Sequence, residues 1–112
     1  LEELSYIPTY PTILSMRSGA SHTVGLLEDG RLIGWGSSRA GQLGTPSSGT
    51  FEIPIIIEFN YFQPYKVVVE HNNTAIFSSN GRVFVSGDNE NGQLGIDSVK
   101  NQFGFIEIEM ED

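Results

Sequence analysis

The chain has no cysteine, so neither a disulfide framework nor a thiolate metal site is available to it. It is also short of positive charge. Six lysines and arginines stand against 14 aspartates and glutamates, a formal charge of −8, and Glu107, Glu109, Glu111 and Asp112 gather part of that excess at one end. Phosphate binding needs a clustered basic surface, so a nucleic-acid partner is not expected. The acidic balance keeps a protein soluble or suits a basic partner. No apolar run approaches the ~20 residues needed to cross a bilayer, and Leu1-Glu2-Glu3 lacks the basic start of a signal peptide. No membrane partner is expected, and the location expected is intracellular, cytoplasmic or nuclear. Helical periodicity is missing as well, since no window repeats apolar residues at three and four over more than two turns. Starting at Leu1 rather than Met, the chain is expected to be an excerpt or a processed piece.

What is present is a repeat. The 112 residues are 38% hydrophobic and 11% aromatic, enough for a modest core. Gly41-Gln42-Leu43-Gly44 returns as Gly92-Gln93-Leu94-Gly95, an offset of 51. At the same offset Gly30-Arg31 matches Gly81-Arg82, Thr23 matches Thr74, Gly36 matches Gly87, and Ile55, Ile57 and Glu58 match Ile106, Ile108 and Glu109. Within each unit, His22–Leu27 and Asn73–Phe77 are short apolar runs of strand character. Asp29-Gly30 and Asn80-Gly81 follow them, dipeptides preferred in two-residue hairpins with φ > 0 at both positions. Return strands are then expected at 31–35 and 82–86, with further strands at 13–16, 66–69, 53–59 and 105–108. Four short strands in about 50 residues, repeated, are the sequence pattern of a β-propeller blade. Apolar neighbours within the strands suit sheets covered on both faces.

These residues resemble the repeats of the regulator of chromosome condensation family, whose blades carry a pattern close to G-x-x-H-T-x-A-L, then D-G-x-x-x-x-W-G, then G-Q-L-G. The first unit follows it at Gly19, His22, Thr23, Leu26, Asp29-Gly30, Trp35-Gly36 and Gly41–Gly44, with Pro54 where the family often has a proline. The second departs at Glu70 for Gly19, Asn73 for His22, Asn80 for Asp29 and Ser86 for Trp35. Several motifs in order, twice over, make the resemblance specific. Kelch repeats have a double glycine missing here, and WD repeats are shorter, at about 40–45 residues. The resemblance implies an all-β propeller fragment of two four-stranded antiparallel blades. Its expected boundaries are residues 1–12 for a strand or linker from a preceding blade, 13–60 for the first blade and 61–112 for the second, with Leu4–Ile7 as a further strand.

The repeat residues Gly19, His22, Thr23, Gly30, Trp35, Gly36, Gly41, Gln42, Leu43, Gly44, Thr74, Gly81, Gly87, Gly92, Gln93, Leu94 and Gly95 are expected to be structural. In G-Q-L-G the glycines permit a sharp reversal, the leucine anchors the loop and the glutamine amide pairs backbone groups. His22 is the obvious catalytic temptation, but it has no partner at a triad or ligand spacing. Its counterpart Asn73 can keep a hydrogen bond and cannot shuttle protons. His71 is expected near a strand end and exposed. Trp35 is expected in blade packing; a lone tryptophan makes no cluster for light sensing. Asn72-Asn73-Thr74 fits a glycosylation sequon on an inner strand, where it carries no meaning. Gly34, Gly36 and Gly41 lack the lysine and helix of a phosphate loop. No catalytic residue, cofactor or metal is expected.

A chain without a catalytic constellation is expected to act through loops, here Gly44–Glu52 and Gly95–Gly104, as a protein-binding module. The alternative is a guanine nucleotide exchange factor, or part of one, for a Ran-like small GTPase, the activity of the family's founding member; no exchange residue matches here. Two blades cannot close a ring of typically 4–8, so further blades in cis or self-association are expected.

Overall fold

The computed structural model describes residues 12–46, 48–60, 63–92, 94, 96 and 100–108. The expected strand at Leu4–Ile7, the motif residues Gln93 and Gly95, and the acidic Glu109, Glu111 and Asp112 lie outside the described residues. Among the described residues eight strands run in order: β1 (Ile13–Ser18), β2 (His22–Leu27), β3 (Leu32–Ser37), β4 (Thr50–Ile57), β5 (Pro64–Glu70), β6 (Asn73–Ser78), β7 (Val83–Gly87) and β8 (Gln102–Ile108). They form two four-stranded sheets, β1-β2-β3-β4 and β5-β6-β7-β8, antiparallel throughout.

The hairpin turns differ from the two-residue expectation. Leu27 N–H donates to the Arg31 carbonyl (2.9 Å) and Gly30 N–H to the Leu27 carbonyl (2.9 Å), and the same pair of bonds recurs at Ser78, Arg82 and Gly81. The loops therefore hold three residues. Only their glycines take positive φ, +90° at Gly30 and +84° at Gly81, as in a type I turn closed by a glycine bulge. Asp29 stays at negative φ, where its carboxylate accepts from the Arg31 N–H at 3.1 Å.

Strands β4 and β8 start three residues earlier than expected. Beyond a register shift between Gly34 and Gly36, β3 goes on pairing as Gly36↔Phe51 and Ser37↔Thr50, and Gly87↔Gln102 repeats this in the second sheet. Gly36 (φ +102°) and Gly87 (φ +120°) make these shifts possible, because a Cβ there would run into the backbone at Ser21–His22 and Asn72–Asn73.

Alternation along the strands then divides side chains between faces. Val24, Leu26, Leu32, Leu43 and Ile57 of the first sheet meet Val67, Ile76, Phe84 and Phe105 of the second in one buried cluster. Phe59, in the connection between sheets, stands edge-on to Phe84 and Phe105 at 5.1 and 5.6 Å between centroids. A smaller cluster, Val83, Val85 and Leu94, lies on the far face of the second sheet. The inner strand β7 is buried along its whole length, while the outer strand β1 is mostly exposed.

Candidate binding surface at the loop end of the sheets

The β1–β2 and β5–β6 turns and the β3–β4 and β7–β8 loops gather at one end of the two sheets. Their framework comes from G-Q-L-G. Gly41 (φ +90°) and Gly44 (φ +71°) bend the first loop, and Leu43, fully buried, pins it into the cluster between the sheets. Gly41 lies so close to the backbone of Gln102 and Phe103 that no Cβ fits, and Gly44 lies as close to the Phe105 ring. The first repeat's loop thus seats directly on the last strand of the second sheet.

Gln42 is buried, and its Oε1 accepts from Ala40 N–H at 2.8 Å, while its Nε2 stands 3.5 Å from both Ser21 Oγ and Asn72 Oδ1. Two residues that the motif does not contain complete the loops. Ser38 Oγ accepts from Leu43 N–H (3.2 Å), and Asn89 Oδ1 accepts from Leu94 N–H (3.0 Å). Both are buried and sit at the repeat offset. The signal that could have found them is a small side-chain acceptor three residues before the first glycine, in both units.

His22 reaches across the junction. Its Nε2 lies 2.8 Å from Thr74 Oγ1, and Thr74 Oγ1 donates to the Gln42 carbonyl at 2.5 Å. The threonine has one proton, already given to Gln42, so it accepts from His22, and Nε2 carries the ring proton. Nδ1 is buried with no partner among the described residues. Burial pushes the ring pKa down from 6.5 to about 4, against a weaker upward pull from the Asn73 backbone. At neutral pH His22 is an uncharged hydrogen-bond donor.

Ser86 Oγ stands 2.5 Å from the Gly41 carbonyl and 2.9 Å from that of Gln102. The matched residue Trp35 is half-buried on the outer face of the first sheet, with its pairing partner Thr23. Thr23 Oγ1 pairs with Ser18 Oγ at 2.8 Å. Gly19 packs against Val69 and the His71 carbonyl, leaving no room for a Cβ, and Ala20 N–H donates to that carbonyl at 2.9 Å. His71 itself is exposed, at φ +47°. Gly92 (φ +69°) bends the second loop, and a Cβ there would meet nothing within 4 Å among the described residues. The structure therefore joins Gly19, His22, Gly41, Gln42, Leu43, Gly44 and Thr74 at the junction between sheets. Gly30 and Gly81 stand apart at the hairpin tips. No group of three or more His, Asp or Glu side chains among the described residues could hold a metal.

The pattern of the regulator of chromosome condensation (RCC1) repeat matches residues 13–42. The chain is built of regulator of chromosome condensation repeats. It is similar to the probable E3 ubiquitin-protein ligase HERC3 of Homo sapiens, 31% identical over 80% of this chain and 9% of that protein. It is also similar to the X-linked retinitis pigmentosa GTPase regulator of Canis lupus familiaris, 32% identical over 85% of this chain and 9% of that protein. The chain thus spans about a tenth of each. Among solved structures it is similar to Prp20p from Saccharomyces cerevisiae, with a TM-score of 0.83 and 18% identity over 93% of this chain and 27% of that one. That likeness establishes the fold as two blades of a β-propeller.

Among the described residues of these repeats, those exposed on the two long loops include Arg39, Pro46 and Ser48 on the first and Glu90, Asn91 and Lys100 on the second. Ser48 Oγ donates to the Arg39 carbonyl at 3.2 Å and folds the loop back on itself.

Proposed function

We propose that the chain is a non-catalytic protein-binding module, and that its contact surface is the loop end carrying Arg39, Pro46, Ser48, Glu90 and Lys100. One observation carries this reading. His22, the side chain best suited to proton chemistry, is buried, neutral and committed to Thr74, so the groups left for a partner are loop side chains on a rigid frame. Prp20p is described as binding Gsp1p and histones. A small GTPase and a basic protein are therefore the partners to try first, the second also matching the charge of −8. The second reading is guanine nucleotide exchange on a Ran-like GTPase, favoured by a relative named as a GTPase regulator. The repeat structure alone does not carry an activity from one member to another.

Both readings are tested with the 112-residue chain, a Ran-type GTPase loaded with fluorescent GDP, and core histones. Binding without faster GDP release, weakened by Arg39→Ala with Lys100→Ala or by Glu90→Ala, supports the module. Faster release supports exchange. Binding that ignores all the loop substitutions would remove this surface from consideration.

A further inference from the structure

A groove opens at the rim of the molecule, between the end of β4 and the strand β8. Pro46, Phe103 and Phe105 form its apolar side, Glu58 and Asn60 its polar side, and its volume is about 530 Å³. β4 and β8 are the last strands of their sheets. The sheets approach each other through β1, β2 and β5 and diverge toward this edge. The groove is therefore built between the two blades from residues of both, and a further blade stacked on the open face of either sheet leaves it uncovered.

The aromatic wall belongs to the second repeat alone, since the first has Glu52 and Pro54 where the second has Phe103 and Phe105. Two apart on β8, these phenylalanines turn to one face. The core accounts for Phe105, which is 8% exposed and stands edge-on to Phe59. It does not account for Phe103, which is half-buried and belongs to neither apolar cluster. Glu58 is exposed, and among the described residues its carboxylate has neither an ion pair nor a hydrogen bond. No lysine or arginine among the described residues lines the groove. A ring face and an open carboxylate in one groove suit a planar cation: a guanidinium stacks on the ring while its N–H fork donates to the carboxylate. The methylene stem behind it lies along apolar surface, here supplied by Pro46 and the phenylalanines. The charge of −8 draws a basic segment toward the molecule.

We propose that this rim groove seats an arginine side chain of a basic protein segment, stacked on Phe103 and paired with Glu58. The site is distinct from the loop-end surface around Arg39 and Glu90, and it stands or falls independently of that surface.

The probe is a capped glycine peptide with one central arginine, titrated into the chain while backbone amide resonances are followed by NMR. Matched peptides carry lysine, or citrulline, which keeps the shape of arginine and loses its charge. The arginine peptide is expected to shift the amides of Glu58, Gly104 and Phe105 to saturation, and the citrulline peptide to bind at least about tenfold more weakly. Glu58→Gln, an exposed and nearly isosteric change, and Phe103→Leu, which keeps an apolar side chain and removes the ring face, are each expected to weaken binding at least about fivefold. Amide dispersion confirms that both variants remain folded. Glu90→Ala removes the same unit of charge at the loop end and is expected to change affinity less than about twofold. Equal losses for Glu58→Gln and Glu90→Ala would reduce the attraction to net charge and overturn the site. Shifts confined to Ser48 and Glu90 would move the basic ligand to the loop end. Binding unaffected by Phe103→Leu, or a lysine peptide that binds as tightly, would overturn the stacked arginine.

Discussion

His22 and Asn73 hold the same place in the two repeats, yet the surroundings treat them differently. His22 is 3% exposed and bonded to Thr74, whereas Asn73 is half-buried with its amide oxygen unpartnered among the described residues. The same contrast recurs at Gly19 and Glu70, where only the first is pressed against a neighbouring strand, and at Gly34 and Val85, where only the first must leave space for Leu43 and Ile57. Of the four departures from the repeat pattern in the second unit, Glu70 and Asn73 fall on the face that the described residues leave open, while Ser86 lies in the junction and Asn80 at a hairpin tip. A motif residue is held to its type by what covers it, and the second unit's outer face meets nothing within the described residues.

The largest losses are expected at the loop leucines. Leu43 is fully buried in the cluster that joins both sheets, while Leu94, at 6% exposure, sits in the smaller outer cluster. Leu43→Ala is expected to cost about 3–5 kcal/mol in denaturant unfolding, and Leu94→Ala about 1–2 kcal/mol less. Equal losses would mean that the outer face is as well covered as the junction.

Next come the paired glycines. Gly41→Ala must bear a left-handed backbone and a collision with the Gln102–Phe103 backbone, for about 2–4 kcal/mol; Gly92→Ala bears the backbone cost alone, about 1 kcal/mol. Thermal unfolding of both variants checks the ranking. A Gly92→Ala loss as large as that at Gly41 would put an unseen neighbour at the second loop.

At the junction histidine, His22→Ala is expected to cost about 1–3 kcal/mol, and His22→Asn less, because the amide keeps a donor near Thr74. The ring pKa falls from 6.5 to about 4 on folding, so between those values the unfolded chain binds a proton that the native one does not. Stability from this group is full above pH 6.5 and is lost as the pH falls toward 4. Unfolding curves across that window should be steeper in pH for the wild type than for His22→Asn, and matching slopes would show the ring to be charged in the fold.

The smallest contrast lies at the hairpin tips. The Arg31 N–H, and then its guanidinium, hold the exposed Asp29 carboxyl below its usual range, while Asn80 at the second tip accepts from Ser78 Oγ. Asp29→Asn makes the first tip like the second and is expected to leave the unfolding midpoint unchanged within error, since exposed ion pairs contribute little. A clear drop at neutral pH would give the tip a structural weight its exposure does not suggest.

The offset of 51, the strand pairs and the hairpin glycines were legible because they depend on neighbours in sequence: β-favouring runs, a turn residue able to take positive φ, and apolar stretches long enough for one strand each. The turn length was misjudged because a dipeptide does not say whether one or both of its residues turn left-handed; the Asp29 bond to Arg31 decides it. Ser38 and Asn89 escaped notice because a lone serine and a lone asparagine become caps only once Leu43 and Leu94 fold over them. Residue identity and spacing by themselves determined an all-β chain of two like units with motif loops after the third strand of each. Only the tertiary structure decided that Thr74 rather than Thr23 receives His22, that the first repeat's loop seats on β8, and that Trp35 faces outward. Strand alternation assigns each side chain to one of two faces, but which face is covered depends on how one sheet stacks on another, and that choice lies in contacts about fifty residues apart.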